Sequence, residues 1–114
     1  MIKIKRIYDK PEKNDGFRVL VDRIWPRGVK KEDASINLWL KEVAPSSNLR
    51  KWFNHDHNKW EEFCSRYFME LDKKKEEINL LDEKRKVSNL TLVFSARDVE
   101  HNNAVALKKY LESL

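Results

Sequence analysis

The sequence predicts a single layered α/β domain, with a mostly parallel sheet flanked by helices. Three observations predict it. Two β-rich runs, Phe17–Asp22 and Leu90–Phe94, are nearly continuous in apolar character, as strands buried on both faces are. Segments with helical spacing of apolar residues stand between and after them, the alternation expected of an α/β layer. The 114 residues suffice for one ordinary core and not for two.

Taken in order, Ile2 to Tyr8 begins by alternating apolar and polar residues and reads as a strand near a sheet edge. Asp9–Asp15 is a polar loop, shorter than the roughly dozen residues a parallel crossover usually takes. The first two strands are therefore either antiparallel or parallel with an unusually tight connection. Phe17–Asp22 is a central strand, followed by a Trp25–Gly28 loop and a helical turn or two over Lys30–Ala34. Residues 36 to 40 fit a strand by alternation and a helix by 36, 39, 40 and 43; the short length and Pro45 favour a strand.

Ser46 or Ser47 can cap a short helix carrying Leu49, Trp52 and Phe53, and Asp56 can cap the next. There Trp60, Phe63, Cys64, Tyr67, Phe68 and Leu71 form one amphipathic stripe. Lys73 to Lys86 continues as a charged helix with Ile78, Leu81 and, at its margin, Leu80 turned inward. After the Leu90–Phe94 strand, a last helix is expected from about Val99, capped by Asp98, with Ala104, Leu107, Lys108 and Leu111 at helical spacing.

The charge is high and uneven. Charged residues make up 38% of the chain, and the net charge is +5. Residues 1–31 hold ten lysines and arginines against four acids, while the rest of the chain is close to balanced. Any attraction for an anion is concentrated in that first part. The single cysteine, Cys64, excludes an internal disulfide, and no apolar run approaches membrane-spanning length. The expected location is the cytoplasm, with no membrane association.

Candidate functional residues cluster where the two buried strands end. In open α/β sheets, ligands sit beyond the carboxyl ends of the strands. One strand ends on Asp22-Arg23-Ile24-Trp25-Pro26-Arg27. The other ends on Ser95-Ala96-Arg97-Asp98 and leads towards His101 and Asn102. If the strands are parallel neighbours, Arg23, Arg27 and Arg97 make an anion pocket, with Trp25, Asp98 and Asn102 beside it. Asp22 and His101 are the candidates to move a proton there.

Each has a structural reading too: Asp22 as a salt-bridge partner, Asp98 as a helix cap, Trp25-Pro26 as packing and His101 as a partly buried helix residue. The favoured ligand is an anionic small molecule such as a nucleotide or phosphorylated metabolite. Nucleic-acid binding is the alternative, resting on the basic first part of the chain.

Several chemistries are excluded or disfavoured. Glycine occurs only at positions 16 and 28, so neither a dinucleotide fingerprint nor a P-loop can be written, and no cofactor is expected. His55-Asp56-His57 looks like a metal cluster, but adjacent side chains diverge and no cysteine joins them, so no metal is expected. Cys64 lies on an apolar helical stripe and lacks the cradle a thiolate nucleophile needs.

The runs VDRIWPRGVKKE, LKEVAPSSNLRKWFNHD, WEEFCSRYFMEL and LVFSARDVEHNNAVALKKYL closely resemble the YeaO-like family of small prokaryotic proteins of unknown function. The similarity covers essentially the whole chain, and VDR-x-WPRG and LRKWF-x-H-D are its specific strings. The resemblance implies a small soluble α/β protein of Rossmann-like character. It also implies that Asp22, Arg23, Trp25, Pro26, Arg27, His55, Arg97, Asp98, His101 and Asn102 belong to the family's pattern. It implies no activity, since the family has none firmly assigned.

Overall fold

A computed structural model describes residues 1–114. Four strands form one sheet: β1 (Ile2–Arg6), β2 (Phe17–Leu20), β3 (Leu38–Trp39) and β4 (Leu90–Phe94). Their order is β1-β4-β2-β3, and every pair is parallel. The helices are α1 (Lys31–Ala34), α2 (Ser47–Phe53), α3 (Trp60–Leu71), α4 (Lys75–Val87) and α5 (Asn103–Glu112). The expected parallel α/β architecture is what the chain adopts. Residues 36–40 supply a strand, but only Leu38–Trp39 of it pairs.

One face of the sheet carries the main core. Ile2, Val19, Val21, Leu90, Leu92 and Phe94 meet Phe53 of α2, Phe63, Tyr67 and Leu71 of α3, Leu81 of α4, and Leu107 and Leu111 of α5. Strand period 2 and helix period 3.6 bring these residues to one layer. The other face is thinly covered. There Ile7, Leu20, Ala34 and Val93 pack under Trp25, Val29, Ile36 and Trp39.

The first connection is parallel and tight, because β4 lies between the strands it joins. Residues 7–16 cross that gap on the face away from the main core, where Asp15 takes hydrogen bonds from Lys3, Lys5 and Arg18. Thr91 Oγ donates to the Asp15 carbonyl at 2.6 Å and ties the crossover down to β4. Two strand spacings are only about 10 Å, which ten residues span even without a helix. Gly16 closes the crossover with φ 66°, and a Cβ there would lie 2.1 Å from the Asn89 carbonyl oxygen. No side chain fits that position.

Two expectations need correction. Asp98 does not cap the last helix. That helix begins at Asn103, and Asn102 Oδ1 accepts from Val105 N at 3.1 Å as its N-cap. Asp98 instead closes a loop, its Oδ1 accepting from the backbone of Glu100 and His101 at 2.9 and 3.0 Å. Both residues are good cap formers, and the one whose helix has apolar positions at 104, 106, 107 and 111 against the core wins. Leu80 is exposed, since Ile78 and Leu81 already fill the inward face of α4. Of the two serines offered as caps for α2, Ser46 takes the role, its Oγ accepting from Leu49 N at 3.2 Å. No helix is long and apolar enough to cross a membrane.

Candidate functional site

β2 and β4 are hydrogen-bonded neighbours, so their carboxyl ends open on the same rim. A cavity of about 660 Å³ lies there, walled by Asp22, Arg23 and Ile24 after β2, by Ser95 to Asp98 after β4, and by His101, Asn102 and Asn103 at the start of α5. Ala44 and Pro45 form a further wall, with Arg50, Phe53 and His55 from α2 and the turn after it, and Phe63 from α3.

Asp22 is a brace. Its Oδ2 accepts from Ser95 N at 2.9 Å and Ser95 Oγ at 2.8 Å, and its Oδ1 from Asn103 Nδ2 at 3.2 Å. Its own carbonyl accepts from Trp39 Nε1 at 2.7 Å. One carboxylate thus locks the ends of β2 and β4 and the first residue of α5 together. Arg6 works towards the same end from β1, donating to the carbonyls of Ala96 at 2.9 Å and Ser95 at 3.1 Å.

Arg23 is the opposite case. It has no carboxylate partner; Nη2 makes only long bonds to the carbonyls of Ala44 at 3.2 Å and Pro45 at 3.4 Å. Its Nε is buried without any partner, the only such side-chain atom in the molecule. A buried donor left unmade costs on the order of 1–3 kcal/mol, more for a charged group. Arg50 donates only to Ser47 Oγ, at 3.2 Å, and Arg97 makes neither a side-chain hydrogen bond nor an ion pair.

His101 faces Asp98, Nδ1 to Oδ2 at 3.1 Å, with the Trp60 ring edge-on at 5.3 Å and His57 at 5.7 Å. Hydrogen bonds from the Glu100 and His101 backbones, with the His101 ring adding to them, hold the Asp98 carboxyl below its ordinary range. Carboxylate and imidazole make an oriented acid–base pair on the cavity wall. His55 reaches the cavity from a left-handed pair of residues, Asn54 at φ 45° and His55 at φ 55°. Asn54 is the left-handed C-cap of α2, its N–H donating to the Arg50 carbonyl, and this turn aims His55 at the rim.

The structure thus brings Asp22, Arg23, Arg97, Asp98, His101 and Asn102 to one cavity, and leaves two named residues outside it. Trp25 packs edge-on against Trp39 at 5.5 Å, its Nε1 donating to the Val29 carbonyl at 2.7 Å. Arg27 is exposed on the loop beyond. Arg50 and His55 join the wall although neither was singled out as a site residue. Their signal was the LRKWF-x-H-D string, which the fold carries to the rim through α2.

Cys64 is half-buried in α3, and burial pushes its thiol up from the ordinary value. No three His, Cys, Asp or Glu side chains converge to hold a metal ion.

The wall formed by residues 43–46 is fixed from α3 and the turn after it. Tyr67 Oη donates to the Val43 carbonyl at 2.6 Å, and Glu70 accepts from Ser46 N at 2.9 Å and Ser46 Oγ at 2.6 Å. Lys74 donates to the carbonyls of Glu42 and, at 3.1 Å, Ala44. Arg23 and Lys74 therefore share the Ala44 oxygen, at 3.2 and 3.1 Å, with neither paired to a carboxylate. Two cations so held are at most about 6 Å apart, a repulsion on the order of 3 kcal/mol at an effective dielectric of ~20. Burial first, and then the Arg23 charge, pull the Lys74 ammonium below its ordinary value, against the raising effect of Glu70.

A parallel α/β sheet with an arginine-lined cavity at its strand ends defines the class of this protein. The chain belongs to the YeaO-like family: residues 1–114 match the family described as the inactive DUF488-N3 subclade. It is 42% identical over 113 residues to the uncharacterized protein YeaO of Escherichia coli K12, covering 99% of this chain and 98% of that one. It is 39% identical over 113 residues to the uncharacterized protein Rv3073c of Mycobacterium tuberculosis H37Rv, covering 96% and 92%. No solved structure matches the chain significantly.

Proposed function

We propose that this protein binds an anionic, phosphate-bearing small molecule of about nucleotide size in the strand-end cavity. The observation that carries the reading is Arg23. Its guanidinium lines a cavity of about 660 Å³, has no carboxylate partner and keeps one N–H buried and unbonded. An unpaired guanidinium under a protein surface is costly unless an external anion completes it. Arg50 and Arg97 stand round the same space with no acid paired to either. The cavity size is within the usual range for small-molecule sites. Arg27 plays no part in this reading.

Binding without turnover is the form we favour. Asp22 is committed to three donors, which supports a bracing role over that of a base. The family description as inactive points the same way. The Asp98–His101 pair supports a second reading, acid–base chemistry on the bound anion, with His101 moving the proton and Asp98 orienting it.

Nucleic-acid binding is less well supported, because the basic first part of the chain spends much of its charge internally. Lys3, Lys5 and Arg18 converge on Asp15, and Arg6 on backbone carbonyls.

Titration calorimetry with orthophosphate and a panel of nucleoside monophosphates and sugar phosphates tests the proposal. We expect saturable binding of one ligand per chain, weakened by about tenfold or more in Arg23→Met and in Arg97→Met. No saturable binding across the panel would sink it. Steeply salt-dependent DNA binding that survived in Arg23→Met would move the assignment to nucleic acid. Turnover of a panel member, lost in His101→Ala with binding intact, would establish the acid–base reading.

A further inference from the structure

A second hollow, about 480 Å³ and more open, borders the same 44–46 segment, which gives Ala44 and Pro45 to the strand-end cavity and Ser46 to this one. Arg23 lines both. The other walls are Ser46, Arg66, Glu70, Lys73 and Lys74, with Met69 at the side. Three of these polar groups are already occupied. Arg66 is paired with Glu62 and lies 4.1 Å over the Trp52 ring. Glu70 has both oxygens turned to Ser46, whose hydroxyl also caps α2. Three cations without a salt bridge, Arg23, Lys73 and Lys74, face the hollow against the single carboxylate charge of Glu70.

The arrangement at Ala44 is the informative one. One neutral carbonyl oxygen accepts from Arg23 on one side and Lys74 on the other. A neutral acceptor between two cations screens them poorly, and Glu70, Glu77 and Glu42 offset the Lys74 charge only through space, none of them bonding it. An anionic group beside the Ala44–Ser46 segment would relieve the repulsion and take up donors that now have nothing else.

We infer that the second hollow is an anion subsite joined to the strand-end cavity through Arg23, so that the ligand carries two or more linked anionic groups, as a di- or triphosphate chain does. This rests on the anion-binding reading and extends it. One anionic group sits among Arg23, Arg50 and Arg97; another reaches Lys73 and Lys74 past Ser46. Because Arg23 and the 44–46 segment border both hollows, a linked polyanion engages both at once where a single anion engages one.

The probes are orthophosphate and inorganic tripolyphosphate, titrated into the full-length chain at one fixed ionic strength. Tripolyphosphate is expected to bind at least about tenfold more tightly than orthophosphate. Lys74→Met and Lys73→Gln should each remove most of that advantage, Lys73→Gln with orthophosphate affinity unchanged. Lys74→Arg should largely restore it. Lys13→Gln, an exposed lysine on the opposite connection, controls for general charge and should change nothing. Unfolding curves for each variant establish that it is folded, and Lys73→Gln, at an exposed position, carries the test should Lys74→Met be destabilised. Equal affinity for the two probes, or an advantage that survives both lysine variants, overturns the subsite while leaving the strand-end cavity in place. No binding of either probe overturns both.

Discussion

Two groups of cations in this molecule are built from the same residue types and are opposite in character. At the start of the chain, Lys3, Lys5 and Arg18 surround Asp15, at 3.0, 3.2 and 2.6 Å, and Asp15 and Arg18 are both buried. Arg18 spends its other donors on the carbonyls of Ser35 at 2.9 Å and Ala34 at 3.1 Å. At the strand ends, Arg23, Arg50, Arg97 and Lys74 have carbonyls, a hydroxyl or nothing. The first group is closed: its charges hold the crossover between β1 and β2 against the sheet. The second is open, with a cavity where the counter-charge would be. A cation completed by its own protein holds the fold; the cations beside the cavity are completed by no acid of the protein, and it is on Arg23, the one with a buried unbonded N–H, that the binding proposal rests.

The sharpest way to break that comparison is to remove the counter-charge from the closed group. Asp15→Ala leaves Arg18 buried and unpaired, and is expected to cost about 3–5 kcal/mol in urea unfolding. A cost below about 1 kcal/mol would mean the cluster is not a structural centre.

The same group predicts an acid limb. Against the raising effect of burial, the Glu12 backbone N–H and then Lys3, Lys5 and Arg18 hold the Asp15 carboxyl far below the ordinary carboxylate range. The unfolded chain therefore binds this proton first. The stabilisation is fully present above about pH 4, near the unfolded carboxyl's own value, and is lost progressively as the pH falls further. Unfolding free energy measured between neutral pH and pH 2 should decline over that range, and the decline should be shallower in Asp15→Asn.

A smaller effect separates brace from base at Asp22. Asp22→Ala strands Ser95 N and Ser95 Oγ and leaves Asn103 Nδ2 only its bond to the Val21 carbonyl, and should cost about 2 kcal/mol whether or not a ligand is present. A fully stable Asp22→Ala protein would return Asp22 to the list of groups free for chemistry. The smallest change is expected at Arg23. Without ligand, Arg23→Met should leave stability within about 1 kcal/mol of the parent, because the side chain removed was incompletely bonded and in repulsion with Lys74.

The contrast between the two groups was only partly legible in the sequence. The parallel sheet could be read from Phe17–Asp22 and Leu90–Phe94, whose unbroken apolar runs mark buried strands whatever surrounds them. The α3 stripe was equally plain, because helical spacing is a local property. What depended on strand order could not be read. Asp15 looked like loop polarity because its partners Lys3 and Lys5 come from a strand before it and its anchor Thr91 from 76 residues away in sequence. Arg23 and Arg27 looked equivalent on the page, four residues apart; the chain turns after Ile24 and sends one to the cavity and the other to solvent. Asp98 and Asn102 both carry cap chemistry, and only the packing of α5 decides between them. Arg50 and His55 reach the site through a helix whose placement no local pattern gives.

The claim that the open group awaits an external anion is tested most directly by unfolding the parent and Arg23→Met side by side, each with and without the phosphate-bearing ligand that binds most tightly. Anything that binds the folded chain alone raises its stability in proportion to occupancy. The account predicts that a given ligand concentration raises the unfolding midpoint of the parent clearly more than that of Arg23→Met, the two proteins being nearly equal in its absence. An equal rise in both, or an Arg23→Met protein that is much less stable before any ligand is added, would show that Arg23 belongs with the closed, structural cations after all.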